Sequence, residues 1–246
     1  MGSILEQIAK TYNSAFRPSN ADEHFALRLA WHLVEPQAAA HHAVLLGRYS
    51  RSHLIAAYHK TKASFRKGEN LGAIFHYELQ NTAPPTNEHH QVRLLTLRIE
   101  RRSVDAAFFS GTELRGLRFR SLPSRTEAAE SAAAGFVAAL LSDFQPECAA
   151  MEALHRPYGA HRAQIYQVVR EQLKNAGLPI SVVDLASVLT SFSHPPLRSR
   201  RELREVLASM YKAILLRRRQ VTGWDAVALG LHVQTERFFT SNEFAI

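Results

Sequence analysis

The sequence predicts an α/β fold: a mixed sheet flanked by helices, with a smaller, mainly helical N-terminal region ahead of it. Three observations predict this. Strand-like apolar runs cluster after residue 91 and alternate there with long helical patterns. Before residue 81 the patterns are almost all helical. Between them, NTAPPTNEHH (81–90) is rich in Pro, Asn and His and has no apolar period, which marks a linker. The expected division is therefore 1–90 as the helical region and 91–246 as the sheet domain.

In the first region, Ile4 to Tyr12 reads as a short amphipathic helix. Ala21 to Val34 is a second helix, with cap chemistry from Asn20 and Asp22 and a stop at Pro36. Gln37 to Tyr49 is a third, and Ser50-Arg51-Ser52 leads into a fourth, His53 to Ala63. The last two have the outline of a helix-turn-helix, with His59, Lys60 and Lys62 on the second helix. A helical hairpin packed on the main domain is the commoner outcome of such a pattern. Leu71 to Leu79 is expected to be a strand.

In the second region, Val92–Ile99, Val104–Phe109 and Leu117–Leu122 form three strands. Short connections, including a turn over Gly111 to Gly116, join them into an antiparallel meander. Thr126 to Phe144 is a helix capped by Ser124 or Thr126 and stopped before Pro146. Glu147 to Leu154 is a strand, and Ala160 to Ala176 is a helix closed by Gly177. Ile180 to Asp184 is the fifth strand. Arg200 to Leu216 and Gly223 to Phe239 are the last two helices.

The chain of 246 residues is long enough for one large domain or two modest ones. It carries 30 basic and 22 acidic residues, a net charge of +8, which favours polyanionic partners. Cys148 is the single cysteine, so an intramolecular disulfide and a cysteine-based zinc site are both excluded. No signal-like N-terminus and no apolar run of membrane-spanning length are present, so the expectation is a soluble, cytoplasmic protein. No HExxH, P-loop or GxGxxG occurs. The 13 histidines include the pairs His41-His42 and His89-His90, whose side chains diverge; His155, His161 and His232 lie nearer the carboxylates discussed next.

Three segments carry chemistry: LLTLRIERRSVDAAFF (94–109), PECAAMEALHRP (146–157) and QVTGWDAVALGLHV (220–233). Together they resemble the first strand, the fourth strand and the final helix of the RuvC family of Holliday-junction resolvases, a branch of the RNase H-like fold. The order βββ, α, β, α, β, α, α is the RNase H-like order. The resemblance spans roughly 140 residues. It implies nucleic-acid binding, a homodimer, and cleavage with two Mg²⁺ or Mn²⁺ ions held by carboxylates from those three elements.

Residue by residue, the resemblance puts Glu152 at the strand-four Glu and Asp225 at the last-helix Asp. It departs at Thr222, where the family commonly has a second Asp, and at Arg98, which takes the place of the strand-one Asp. Glu100, two residues on and on the same strand face, is the substitute carboxylate. Asp105, on the next strand, is another nearby acid. The alternative is that Arg98 forms an ion pair with Glu152 or Asp225 and stands in for the metal. The expectation is thus a nucleic-acid-binding protein with an incomplete, inactive nuclease site. The rivals are an active Mg²⁺-dependent, structure-selective endonuclease and a non-catalytic protein-interaction scaffold.

The stretch 198–219 holds eight basic and two acidic residues. Arg198, Arg200, Arg201 and Arg204 lie at the start of a helix and Arg217, Arg218 and Arg219 beyond its end. Leu203, Val206 and Leu207 form its apolar face, so the opposite face is a phosphate-binding candidate. Arg118 and Arg120 on the third strand are expected on an uncovered sheet face, with Phe119 pointing inward.

Overall fold

Alternating Leu, Thr and Arg residues over Arg93–Ile99 build β1, the central strand of a five-stranded sheet in a computed structural model that describes residues 15–83, 91–154, 159–211 and 223–240. By its contacts the chain divides into two compact units. The first is formed by the described residues within Met1–His89, Leu189–Tyr211 and Thr235–Ile246, the second by those within His90–Val188 and Lys212–Gln234. Each unit is thus assembled from separated stretches of chain.

In the first unit the helices begin where a side-chain oxygen can satisfy a free backbone N–H. Asn20 accepts from the Glu23 N–H at 2.8 Å and starts α1 (Ala21–His32). A 3₁₀ turn (Pro36–Ala38) leads into α2 (Ala39–Leu45). Ser50 accepts from the His53 N–H and starts α3 (Arg51–Ser64). Asn70 accepts from the Ala73 N–H at 2.9 Å and starts α4 (Leu71–Asn81).

The expected strand over Leu71 to Leu79 is therefore a helix. Its Ile, Phe and Tyr read as strand residues, but Leu71, Phe75 and Leu79 recur at helical spacing behind the Asn70 cap. The second helix of the helix-turn-helix outline has one buried face and leaves Lys60 and Lys62 exposed. The helix that would enter a groove, α3, buries Leu54, Ile55, Ala57 and Tyr58 in the core of this unit, beside Phe25, Leu29, Phe75 and Phe239. The expected Ile4–Tyr12 helix lies outside the described residues, as do 84–90 of the linker.

In the second unit β1 pairs antiparallel with β2 (Ser103–Ser110), and β2 with β3 (Glu113–Ser121), through a turn at Gly111, whose φ of 56° suits glycine. The turn is shorter than expected, because Glu113 to Gly116 already belong to the strand. The helix α5 (Thr126–Phe144) follows. Its cap position is Arg125 and has no side-chain hydrogen bond, so neither expected cap is used. β4 (Cys148–Glu152) lies parallel to β1 on its other side. Then come α6 (Ala160–Asn175) and β5 (Ile180–Val183), parallel to β4. The strand order is β3-β2-β1-β4-β5.

A short helix, α7 (Leu185–Ser191), was not expected from the sequence. The helix α8 (Arg200–Met210) starts at the Ser199 cap, and α9 (Trp224–Thr240) closes the described chain. The meander followed by αβαβ and helices is the RNase H-like order, and the second unit has that fold.

Strand alternation divides the sheet side chains between two faces. Leu95, Leu97, Ile99, Val104, Ala106 and Met151 pack under α5 and α6 with Ala133, Val137, Ile165 and Val169. Leu94, Thr96 and Arg98 take the other face, where the first part of α9 lies. The Thr96 hydroxyl donates to the Ala226 carbonyl oxygen at 2.8 Å, and the Gln234 amide donates to the Val92 carbonyl oxygen at 2.8 Å. Between those two ties, Gly230 approaches Phe109 so closely that an added Cβ would overlap the ring.

Gly230→Ala is therefore expected to lower stability by about 1–3 kcal/mol, the usual range for overpacking. Phe109→Leu in the same chain should recover part of the loss. Urea unfolding of the wild type and the two variants measures both, and a neutral Gly230→Ala would contradict the close packing.

The first unit should be acid-sensitive in two windows. Burial, helped by the charges of His41 and His76, pulls the His42 imidazole down to about 3. Unfolding lets it take a proton, so its neutral-state stability is complete above about 6.5 and is lost as pH falls from there toward 3, up to roughly 5 kcal/mol. Burial pushes the Glu236 carboxyl up. The hydrogen bonds and charges of His32 (2.9 Å) and Arg28 (2.6 Å) outweigh this and hold it at about 2. Its contribution, about 3 kcal/mol, is complete above about 4.5 and is lost between there and 2. In pH-dependent denaturant unfolding, His42→Leu should flatten the upper window and Glu236→Gln the lower one.

Candidate functional site

The period-two alternation of β1 puts Thr96 and Arg98 on the face that receives α9, and the strand register brings acids to Arg98 from both sides. On β2 its Cα partner is Asp105. On β4, which runs parallel to β1, Glu152 is the last residue. Asp225 enters from the first turn of α9, held there by the Thr96–Ala226 hydrogen bond one residue further on. Glu100 follows directly after the end of β1. The carboxyl ends of two parallel strands and the start of a helix thus converge, the usual location of a ligand site in a parallel-stranded sheet.

Arg98 occupies the centre. Its Nε lies 3.3 Å from Glu152 Oε2, its Nη1 donates to Asp225 Oδ2, and its Nη2 is ion-paired with Glu100 Oε1. The planar guanidinium serves three carboxylates from three elements at once. Arg98 and Glu152 are each 8% exposed, Asp105 5% and Asp225 4%. Burial at that level means that the partners replace water almost completely, so none of the charges could stay without the others.

A divalent ion does not fit this arrangement. The oxygens that would turn to it face a guanidinium, and an ion in their midst would stand against that positive charge. Among the described residues, no group of three or more His, Cys, Asp or Glu side chains is arranged to hold a metal ion.

The expected partners of Arg98, Glu152 or Asp225, are both present, and Glu100 joins them. Asp105, whose register the sequence left open, stands directly opposite Arg98. Sequence reasoning missed two supporting residues. Thr96 ties α9 to the sheet, and its position two residues before Arg98 was a usable signal. Arg162, on the first turn of α6, donates from Nε to the Ile99 carbonyl oxygen at 2.7 Å and fixes the end of β1; nothing in the sequence marked it. His161 bonds to Thr126 at 3.1 Å, and His232 is buried two turns further along α9. Thr222, His155, His89, His90, Arg217, Arg218 and Arg219 lie outside the described residues.

Of the basic candidates, Arg198, Arg201 and Arg204 are exposed and Arg200 is half-buried. They lie on or beside α8, whose Leu203, Val206 and Leu207 are buried as the pattern required. Arg118 and Arg120 differ from expectation. Their register partners, Ala106 and Val104, belong to the face under α5, and Arg118 sits 5.6 Å from the Phe144 ring centroid. That face is covered, and the two side chains reach solvent because β3 is an edge strand. Phe119 pairs with Asp105, on the opposite face, and is 44% exposed instead of pointing inward. Among the described residues, no helix is long and apolar enough to cross a membrane.

No protein-family model and no curated protein matches the chain. Among solved structures it is similar to RuvC of Thermus thermophilus, at 14% identity and a TM-score of 0.48, over 61% of this chain and 98% of that one. It is also similar to the Fowlpox virus resolvase solved with Holliday junction DNA, at 15% identity and a TM-score of 0.42, over 58% of this chain and 99% of that one. The yeast mitochondrial Holliday junction resolvase Ydc2 shows 10% identity and a TM-score of 0.39, over 79% of this chain and 99% of that one.

Removing the guanidinium leaves buried acids without their cation. Arg98→Met should cost about 3–5 kcal/mol at neutral pH. Adding Glu152→Gln and Asp225→Asn should recover part of it. A loss below about 1 kcal/mol in denaturant unfolding would put the pairs in the class of solvated surface bridges.

Proposed function

We propose that this chain is a RuvC-like nucleic-acid-binding protein in which Arg98 closes the nuclease position, so that it holds duplex or branched DNA without cutting it. One observation carries the reading: the guanidinium of Arg98 pairs with Glu100, Glu152 and Asp225 at the point where the resemblance places a metal-binding Asp. Glu152, Asp225 and Glu100, expected as catalytic or metal-binding residues, here serve as acceptors for an internal cation. The net charge of +8 and the exposed arginines of α8 support a polyanionic partner. Arg198, Arg200, Arg201 and Arg204 are the phosphate contacts of this reading, together with Arg217, Arg218 and Arg219 from the sequence. A homodimer and a cytoplasmic location belong to it by resemblance alone.

The test combines metal, DNA and one substitution. The wild-type protein should show no Mg²⁺ or Mn²⁺ heat by calorimetry, whereas Arg98→Asp, which supplies the missing carboxylate, should acquire it. DNA binding should weaken steeply with salt, with a slope near −0.9 per phosphate engaged. Arg201→Glu with Arg204→Glu should make that slope shallower. Mg²⁺-dependent cleavage by the wild type that disappears in Glu152→Gln would replace this reading with an active structure-selective endonuclease. DNA binding that is absent at low salt would replace it with a protein-interaction scaffold.

A further inference from the structure

At the opposite end of β1 from Arg98, the second unit contains a cavity of about 250 Å³. Its walls are apolar and mainly aromatic: Phe108, Phe109, Phe144, Leu94 and Pro146. Ser110 and two cations, Arg93 and Arg115, complete the lining.

Arg115 is there because of an irregularity in the sheet. Phe108 pairs with Gly116 and Phe109 with Leu114, which leaves Arg115 as the extra residue of a β-bulge. A bulge breaks the regular alternation of the strand and re-aims a side chain, and bulges of this kind gather beside functional sites. Each arginine keeps about half its side-chain surface in solvent: 50% for Arg93, 54% for Arg115. Each is paired with an acid only at the surface, Arg93 with Glu147 at 3.8 Å and Arg115 with Glu113 at 2.9 Å. Exposed pairs of this type hold their partners weakly, so both guanidinium groups can turn to an incoming anion at little cost.

An aromatic-walled hollow below the size of drug pockets accepts one planar ring system and little more. Two guanidinium groups beside it select an anion that can take bidentate hydrogen bonds, as a phosphate does. We propose that this cavity binds a nucleotide, with the base among the phenyl rings and the phosphate on Arg93 and Arg115. The same chemistry is offered by a free mononucleotide and by the 5′-phosphorylated end of a strand. The site shares no residue with the Arg98 cluster or with α8, so it stands apart from the reading proposed above.

The test is calorimetry on the full-length protein with AMP, adenosine, inorganic phosphate and a 5′-phosphorylated dinucleotide, in the wild type and in Arg115→Ala and Arg93→Ala. AMP should bind about tenfold tighter than adenosine or phosphate alone, and each alanine variant should weaken it about tenfold. The substituted arginines are half-exposed, and an unchanged unfolding curve checks that each variant is folded. Tighter binding of the dinucleotide than of AMP would identify a strand end, and equal or weaker binding a free nucleotide; both support the site. No AMP binding by folded protein overturns the proposal. So does AMP binding that neither alanine variant weakens, which would place the nucleotide elsewhere.

Discussion

Arg98 is where the architecture and the chemistry of the second unit meet. It sits on the middle strand of the sheet, is 8% exposed, and pairs with acids from the end of its own strand, from β4 and from α9. Those three elements are far apart in sequence. Without an opposite charge at their junction, Glu152 and Asp225 would be brought together buried and like-charged, which opposes the packing of β1, β4 and α9. Within the second unit α9 is also tied by the Thr96 hydroxyl near its start, by the close passage of Gly230 over Phe109, and by the Gln234 amide on Val92. The charge cluster fixes the start of a helix that shape and hydrogen bonds hold further along.

Those geometric demands leave a narrow choice of side chain. A lysine at 98 would offer one compact ammonium where three carboxylates need to be met from three directions, whereas the planar fork of arginine turns a separate nitrogen to each. Acids also outnumber the cation, since Asp105 stands opposite Arg98 as well. The local balance at this end of the sheet is therefore negative while the chain as a whole is strongly positive.

Much of this was legible in the sequence, and the reasons differ by element. The helices at Thr126–Phe144 and Ala160–Asn175 show through because each has one apolar face and a marked end, such as Pro146 or Gly177, and the strands because they are short apolar runs between turn residues. Arg98, Glu152 and Asp225 were legible as a set because three spaced segments carried one resemblance. The helix at Leu71–Asn81 was misread because bulky aromatic and β-branched side chains outweighed the Asn70 cap. The burial of α3 was hidden because its histidine and lysines sit on the same helix as a fully apolar face. Phe119 was placed inward by giving Arg118 and Arg120 the uncovered face, whereas alternation holds and theirs is the face that α5 covers. Arg162 and the return of Leu189–Tyr211 to the first unit depend on long-range packing, which no local pattern records.

A cation supplied by a side chain differs from one drawn from solution in a way that concerns the folding of the chain. A bound ion stabilises a site in proportion to the logarithm of its free concentration, so the site strengthens and weakens with supply. The guanidinium of Arg98 is tethered at the site by its own backbone and cannot be diluted, chelated or exchanged. Its effective concentration is set by covalent geometry alone. The acidic end of the sheet therefore gains its cation with the folding of the chain itself.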